Sequence, residues 1–426
     1  MRLFSLLKTG VLLQILLKLL PAAAAERAPH FDLELTGSEY RAILMNHQKR
    51  FLTAAEPSSS ARQLQPVLDA GVRNLELLKH LNSGRPEAPL SLSGPDSQAG
   101  YPVDSPRIYN VTIVLDSFSK LRQQVPASIA AIVLDGAPFT ADLGMSDENY
   151  ILSARLIDGV YQLASRWLLL EPYLGQLAWK KKSDVRSYVA LSSGPDLTRK
   201  LSRFELLSPA EQQSLLKGLF EICFNSPSMT EAICRSELAV ARSAKNLHAF
   251  YSKHLPAAAQ VYSSFFAIPT WRSDVLWPSS APLTMTVPFA DPGNATILHF
   301  LRENIEDEWK WNGWSLRLDF RSSGSVGMTQ IRFVPGATPH VDRIAGNTIT
   351  MDSNTPLTEY NVQWTIRHEY GHVLGFPDCY HEFWDSDLRA MVSYQLDTTN
   401  LMCSRRGKLK ETHYLELRRV YLKSQE

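Results

Sequence analysis

The segment from His368 to Asp378 restricts the fold of this chain more than any other part of the sequence. It reads HEYGHVLGFPD, in which His368 and His372 are four positions apart and Glu369 directly follows the first histidine. Helical residues four apart lie one above the other on the same face, at about 5–6 Å between Cβ atoms. This spacing suits two imidazoles that bind one Zn²⁺ ion, so the segment predicts a helix that carries a metal site.

The residues around the two histidines extend this prediction. Glu369 lies close to the predicted metal without having to bind it, where a carboxylate can accept a proton from zinc-bound water. Gly375 can leave the helix through a left-handed backbone conformation, and Pro377 prevents the helix from resuming. Asp378 then offers an oxygen ligand from the returning segment, which gives the metal a third partner.

Three other interpretations follow from the same residues. Two histidines on an amphipathic helix can simply lie at the protein surface. His381 is a rival third ligand because imidazole is a commoner zinc donor, although it lies three residues beyond Asp378. A site of the thermolysin type would take a glutamate from a second helix, and Glu411 is the candidate. We prefer His368, His372 and Asp378, because the turn before Asp378 would otherwise have no role.

The run HVLGFPDCY, from His372 to Tyr380, resembles the metzincin zinc metallopeptidases, in the variant with Asp as third ligand that snapalysin represents. The resemblance covers only the last third of the chain. It departs at Cys379 and in a longer segment after Asp378. It implies a catalytic domain with a twisted mixed sheet, an active-site helix and a small C-terminal subdomain.

The resemblance also implies roles for residues outside this run. Metzincins place a methionine in a tight turn beneath the histidines, and Met402 lies at that position; without the resemblance it is an ordinary core methionine. Substrate binds as an added strand at an edge of the upper sheet, for which residues 339–345 are the candidate. Tyr380 could donate a hydrogen bond to the reaction intermediate, but packing beside the ligand is an equal alternative, so it stays outside the catalytic set.

The four cysteines bear on the compartment of the protein. Cys223 and Cys234 are close in sequence, as are Cys379 and Cys403, which fits an exported chain with two local disulfides. The residues alone allow three connectivities, or four buried thiols. If Met402 lies beneath the histidines, as the resemblance implies, Cys403 comes close to Cys379, and we hypothesise a disulfide between them.

The start of the chain also favours export. Residues 1–25 combine Arg2 and Lys8 with an apolar run through Leu20 and a small-residue end, which predicts a signal peptide, although Lys18 interrupts the run. A short amphipathic helix is the alternative. No other stretch has the about 20 consecutive apolar residues of a membrane span. The 44 basic and 43 acidic residues leave a net charge of +1, which gives no indication of nucleic-acid binding.

Helical periodicity dominates the first part of the chain. Helices are predicted at 38–55, 59–81, 146–172, 208–223 and 229–254, and one strand at 109–115. Ser208, Pro209 and Glu211 form a capping box. The apolar face of the third helix, with Leu152 and Leu156, is predicted to lie in the core.

Strands and helices alternate in the second part of the chain. Strands are predicted at 283–289, 314–320, 330–334 and 347–352, and helices at 295–311 and 408–423. A chain of 426 residues predicts more than one domain. We therefore expect an α+β protein with a signal peptide at 1–25, a mainly helical domain at 26–270 and a metzincin-like zinc peptidase domain at 280–426.

The expected function is that of a secreted or periplasmic zinc metalloendopeptidase. One catalytic Zn²⁺ ion would be held by His368, His372 and Asp378, with Glu369 as general base and a protein or peptide as substrate. The helical domain is either a propeptide, which would make the chain a zymogen, or a permanent domain that selects the substrate. A zinc-containing protein-binding module without catalysis, and a toxin or effector protease that cuts a single substrate, are the alternatives.

Overall fold

The computed structural model of the protein describes residues 58–94, 100–322, 327–335 and 337–423. The predicted signal peptide at 1–25 and the predicted helix at 38–55 lie outside these residues. In the described part the chain is a mixed α+β protein, with most of its helices before residue 265 and three small sheets. The predicted α+β class is therefore confirmed at this coarse level.

The first part of the chain is mainly helical. Its helices are α1 (Ser59–Asn82), α2 (Val111–Gln124), α3 (Ala127–Ile129), α4 (Asp147–Leu170), α5 (Leu174–Trp179), α6 (Arg186–Ser192), α7 (Leu197–Ser202), α8 (Pro209–Phe224), α9 (Glu231–Ser243) and α10 (Leu247–Ser264). The predicted capping box of α8 is confirmed, since Ser208 and Glu211 each accept a bond from the other's backbone N–H. The Ser146 side chain caps α4 by accepting a hydrogen bond from the Asn149 backbone N–H.

The strand predicted at 109–115 is wrong beyond its first residue. The strand β1 spans Arg107–Tyr109, and α2 begins directly afterwards. The Asn110 side chain accepts from the backbone N–H of Ile113 at 2.9 Å, which is a helix cap. This cap and the burial of Val114 outweigh the strand preference of the β-branched residues.

The single helix predicted at 229–254 is also wrong, because two helices occupy this region. The chain breaks between α9 and α10, where Lys245 has a φ of +52°. Helix α10 then runs through Pro256 instead of ending before it. Burial of His254 and Ala258 on the same helix compensates for the one backbone hydrogen bond that proline removes.

The apolar face of α4 is only partly buried. Ile157 and Trp167 lie in the core with α1, and the ring of Tyr161 packs on the backbone of Gly71. Leu152 and Leu156, predicted as core residues, are 54% and 45% exposed. The close contact with α1 fixes the rotation of α4. Because the apolar stripe of α4 is wider than the surface that α1 covers, the residues at its margin stay exposed.

The second part of the chain forms most of the strands. Its elements are β2 (Leu283–Ala290), α11 (Ala295–Leu301) with one π-helical turn (Arg302–Glu306), β3 (Lys310–Trp311), β4 (Trp314–Arg321), β5 (Gln330–Val334), β6 (His340–Val341), β7 (Thr348–Asp352), α12 (Tyr360–Val373), β8 (Tyr380–Asp385), β9 (Ala390–Gln395) and α13 (Glu411–Lys423). The four predicted strands are confirmed. The helix predicted at 295–311 ends earlier, because residues 310–311 pair with β4 instead.

Two of the sheets combine into one mixed layer. Strand β2 pairs in parallel with β4, and β5 pairs in parallel with β7. A parallel bridge between Phe289 and Thr329 joins β2 to the start of β5. The short strand β6 is antiparallel to β7 and forms the far edge. Helix α12 packs on this layer through a shared apolar core.

The third sheet joins the two parts of the chain. The hairpin of β8 and β9, which the sequence patterns did not predict, pairs with β1 from the helical part in the order β1–β9–β8. Arg166 on α4 forms a buried ion pair with Glu382 on β8, and the hydroxyl of Tyr109 donates to Glu382 at 2.7 Å. The regions predicted as separate domains therefore share one sheet and its core. None of the helices in the described ranges is long and apolar enough to span a membrane.

Candidate metal centre

Helix α12 carries the two histidines and the glutamate of the HExxH pattern. His368, Glu369 and His372 have exposed fractions of only 2%, 1% and 9%. Ile366 and Val373, on other faces of the helix, lie in the core shared with the mixed sheet. Because this core fixes the rotation of α12, the two imidazoles project towards the same side.

A tight turn at Gly375 ends α12 and reverses the chain. Gly375 has a φ of +100°, and a Cβ atom there would lie 2.3 Å from the carbonyl oxygen of Thr270. The N–H of Phe376 donates to the Gly371 carbonyl and that of Gly375 donates to the His372 carbonyl, both at 3.0 Å. These two bonds form the Schellman motif that ends many helices. The turn directs the following segment back towards the histidines.

The side chains of His368, His372 and Asp378 converge on one point. The two Nε2 atoms are 3.1 Å apart, and Asp378 Oδ1 lies 3.0 Å from that of His368 and 3.2 Å from that of His372. Among the described residues, these three form the one group of three or more His, Cys, Asp or Glu side chains whose ligand atoms lie within 4.8 Å of one another, close enough to hold a metal ion. Tetrahedral zinc ligands lie roughly 3.3–3.4 Å apart, so the spacing fits zinc with a small outward adjustment.

The other ring nitrogen of each histidine determines where the proton lies. Nδ1 of His368 is 3.1 Å from the Leu401 carbonyl oxygen, and Nδ1 of His372 is 2.8 Å from that of Phe376. A carbonyl oxygen only accepts, so each Nδ1 carries a proton and each neutral ring has a lone pair on Nε2. Two lone pairs and a carboxylate oxygen therefore face one another, an arrangement that requires a proton or a cation between them.

The pKa values of His372 and Asp378 also indicate that the cluster favours a positive charge between its three ligand atoms. Burial lowers the pKa of His372, but the charge of Asp378 and its hydrogen bond raise it by more, to about 9. Burial raises the pKa of Asp378, whereas the charge of His372 and the hydrogen bond from His368 hold it well below its usual value. The centre thus favours an additional positive charge at neutral pH, which a divalent cation supplies more strongly than a proton.

The Glu369 carboxylate is buried without a hydrogen-bonding partner. Neither of its oxygens has such a partner among the described residues. Its negative charge contributes to the raised pKa of His372, so the carboxylate lies near the cluster. A buried carboxylate without donors loses its hydration and gains nothing in return. Its position therefore favours a role as proton acceptor for a water molecule at the cluster.

Met402 lies against the backbone of α12. A Cβ atom at Gly371 would be 2.3 Å from the Met402 Sδ atom, so the thioether packs directly on the helix between the two histidines. The N–H of Met402 donates to Asn400 Oδ1 at 2.8 Å, which closes a tight turn. The turn that carries Met402 therefore packs on α12 between the two histidines of the cluster.

Both cysteine pairs are disulfides in the structure. Cys223 is bonded to Cys234, which joins α8 to α9. Cys379 is bonded to Cys403, which joins the residue after Asp378 to the residue after Met402. Of the alternatives that the sequence allowed, two local disulfides are therefore confirmed.

The two rival ligands lie outside the cluster. His381 is buried on β8, and its Nε2 donates to the Lys180 carbonyl at 2.9 Å. Burial and the nearby charge of Lys180 lower its pKa to about 3, so it is a neutral core residue. Glu411 is exposed at the start of α13 and is not part of the metal-binding group in the described chain. Asp378 is the carboxylate that accompanies the histidines.

Two aromatic rings flank His368. The ring of Trp364 is stacked on it at 4.8 Å between centroids, and the ring of Tyr380 lies nearly parallel at 6.3 Å. Trp364 was not predicted as part of the site, although it precedes His368 by four residues and so lies on the same helical face. The two rings restrict the orientation of the imidazole.

His413 supports the turn that carries Met402. No sequence motif predicted this role. Its Nδ1 accepts from the Lys410 N–H at 2.9 Å, and its Nε2 donates to Asn400 Oδ1 at 2.9 Å. Burial lowers the pKa of His413 to about 4, so the ring stays neutral and keeps both bonds at neutral pH. Through Asn400 it holds the backbone of Met402.

The edge strand β6 lies near α12 and is short, as the proline and the charges of the candidate segment led us to expect. The candidate segment 339–345 forms a strand only at His340–Val341. It then turns, and the N–H of Ala345 donates to the His372 carbonyl at 2.7 Å. The segment that follows β6 is therefore bonded to the helix that carries the cluster.

A separate groove lies in the helical part of the chain. It has a volume of about 1220 Å³ and runs between α8 and α9, where Leu216, Phe220 and Leu238 form its apolar lining. None of the residues that line it belongs to the metal cluster.

Comparison with known proteins gives no relative for this chain. No protein-family model, curated protein or solved structure matches it. Its functional interpretation therefore rests on the geometry of the cluster and on the sequence resemblance of the segment around it.

Proposed function

We propose that the protein is an exported zinc-dependent endopeptidase of the metzincin type. The observation that carries the proposal is the convergence of His368, His372 and Asp378 within 3.2 Å of one another, next to the buried, unpartnered Glu369. The mixed sheet, the helix packed on it and the turn at Met402 support the metzincin type. The two disulfides support an oxidising compartment.

The donor set fits zinc and leaves a position for the reacting groups. Two imidazoles and one carboxylate are a common set of protein ligands at catalytic zinc sites, which keep a fourth position open. Zinc bound there supplies Lewis acidity, which makes a nearby water molecule easier to deprotonate and polarises a peptide carbonyl. The carbonyls of Leu401 and Phe376 orient the two imidazoles for this role.

Glu369 is the group that moves the proton in this proposal. Its carboxylate accepts a proton from the attacking water and then donates it to the amine that leaves when the peptide bond breaks. Burial at 1% exposure shields it from bulk water, so the proton is passed on and not lost. The substrate peptide pairs with the open edge of β6 as an additional strand.

The proposal is tested with the variant Glu369→Gln and an unstructured protein such as casein as substrate. We expect the rate of cleavage to fall by roughly 100-fold to 10,000-fold, because the amide cannot accept the proton. Zinc binding should change little, because Glu369 is not one of the ligands. Removal of zinc with a chelator should abolish cleavage by the wild-type protein, and added zinc should restore it.

The matched control is Glu359→Gln, which makes the same chemical change on the residue that precedes α12. Glu359 accepts a hydrogen bond from Ser91 at 2.5 Å, away from the cluster, and its replacement should leave the rate within about threefold. Cleavage that persists in Glu369→Gln, or after zinc removal, would disprove the proposal. Stoichiometric zinc binding without any cleavage would instead favour a non-catalytic zinc protein.

A further inference from the structure

Three consecutive residues after Asn400 each contact a different part of the metal centre. The Leu401 carbonyl accepts from His368 Nδ1, and the Met402 side chain packs on α12. The Met402 carbonyl accepts from the N–H of Cys379 at 3.2 Å, and Cys403 is bonded to Cys379 through sulfur. We call residues 401–403 the floor turn.

The position of the Asp378 carboxylate is determined by the backbone that carries it and not by other side chains that hold it in place. Its carboxylate lies within 3.2 Å of the Nε2 atoms of the two imidazoles. Among the described residues, no lysine, arginine or backbone N–H donates a hydrogen bond to it, and its side chain is 26% exposed. The placement of this oxygen therefore follows from the course of the chain between the turn at Gly375 and strand β8.

The Cys379–Cys403 disulfide restrains the chain covalently between Gly375 and strand β8. It joins Cys379, the next residue along, to the floor turn, which also orients His368. Cys379 and Cys403 are each only 1% exposed, so the bond is enclosed in the core beneath the cluster. Two hydrogen bonds accompany it, from Cys379 to the Met402 carbonyl and from Leu396 to the Cys379 carbonyl. The floor turn thus determines where two of the three ligands lie relative to each other.

We propose that the Cys379–Cys403 disulfide is a positioning element that sets the zinc affinity of the centre through Asp378. This inference rests on the proposed zinc site. Without the bond, Asp378 samples positions away from the two Nε2 atoms, and the ion is held by two imidazoles for part of the time. The centre is therefore complete only in the oxidised chain.

The experiment compares two variants that each lack one disulfide. Cys379→Ala with Cys403→Ala removes the bond at the centre, and Cys223→Ala with Cys234→Ala removes the bond between α8 and α9. Zinc dissociation constants are measured by competition with a chromogenic chelator, and melting temperatures are measured with and without zinc. Both variants lose stability in the zinc-free form, because both unfolded chains are less restrained.

Only the first variant should lose zinc affinity. We expect a loss of about 10-fold to 100-fold, as is typical when support of a metal ligand is removed, and a smaller rise in melting temperature on adding zinc. The second variant should bind zinc within about twofold of the wild type. Equal zinc affinity in all three proteins would overturn the proposal.

A double-mutant cycle tests whether the effect passes through Asp378. In the background of Asp378→Asn, removal of the Cys379–Cys403 bond should change zinc affinity much less than it does in the wild type. An undiminished effect in that background would also overturn the proposal. If the alanine pair does not fold, Cys379→Val with Cys403→Val fills more of the vacated volume and serves as the variant.

The test of the disulfide proposal and the test of the proposed peptidase activity can fail independently. Zinc binding by the wild type without cleavage of casein refutes the peptidase and leaves the disulfide proposal standing. Unchanged zinc affinity in the variant refutes the disulfide proposal and leaves the peptidase standing. A wild-type protein that binds no zinc refutes both.

Discussion

At the scale of the residue, the proposed metal centre depends on where two imidazoles carry their protons. The carbonyls of Leu401 and Phe376 hold the protons on Nδ1, so the Nε2 lone pairs of His368 and His372 face Asp378. In the metal-free protein the raised pKa of His372, about 9, means that a proton occupies this space at pH 7. In the proposed zinc site, the ion has to displace that proton when it binds.

We therefore predict that zinc affinity rises with pH up to about 9. His372 is protonated below its raised pKa, so the proton competes with zinc at lower pH and ceases to compete above it. Near pH 7 each zinc ion should release about one proton, and the affinity should rise by about tenfold per pH unit. Calorimetry in buffers of different ionisation enthalpy measures the released protons.

The exposed His299 provides the control for this measurement. Its side chain is 70% exposed and lies on α11, and His299→Gln should leave the proton release unchanged. A zinc affinity that does not vary between pH 6.5 and 9 would contradict the predicted competition.

At the scale of the element, the end of α12 determines whether a third ligand is available. The Schellman motif at Gly375 reverses the chain within a few residues, so that Asp378 returns to the face that carries the histidines. The motif needs a residue that tolerates a φ of +100° and has no Cβ against the Thr270 carbonyl. Both conditions are met only by glycine.

Replacing Gly375 by alanine should destabilise the protein and weaken zinc binding. The positive φ costs about 1–2 kcal/mol, and the contact of 2.3 Å with Thr270 forces the turn to shift, so we expect a total loss of about 3 kcal/mol. Denaturant unfolding measures the loss, and chelator competition measures the zinc affinity.

Gly293→Ala is the matched control for Gly375→Ala. Gly293 has a φ of +64°, but a Cβ there would have no neighbour within 4 Å, so only the backbone cost of about 1 kcal/mol should remain. Zinc affinity should not change in this variant. Equal losses in the two variants would show that the contact with Thr270 is unimportant.

At the scale of the whole molecule, the helical part shares a sheet with the hairpin that follows the proposed metal centre. Strand β1 completes the sheet of β8 and β9, and β8 begins two residues after Asp378. Arg166 and Tyr109 surround the Glu382 carboxylate, which is 3% exposed. These shared contacts favour a permanent domain over a removable propeptide for the helical part.

The variant Arg166→Met tests how tightly the two parts are joined. It leaves the Glu382 charge buried without its main partner, and we expect a loss of about 3 kcal/mol in the free energy of unfolding. The exposed pair Arg235 and Glu231 gives the control, because Arg235→Met should cost less than about 1 kcal/mol. A small loss in Arg166→Met would mean that the two parts are only loosely associated.

The sequence by itself determined the features that depend on neighbouring residues. The spacing of His368 and His372, the turn at Gly375 and the capping box at Ser208 are local, because the interacting groups lie within one or two helical turns. The mixed strands after residue 280 were also predictable from their alternating patterns. These features were sufficient to predict that His368, His372 and Asp378 come together in one cluster.

Only the tertiary structure decided the features whose partners are distant in the chain. The pairing of β1 with β9, the exposure of Leu152 and the support of Asn400 by His413 depend on contacts that local patterns do not specify. The Cys379–Cys403 bond likewise needed the fold to choose among the connectivities. The physical reason is that packing selects which of several apolar or polar faces is covered, and that choice is made by the whole core.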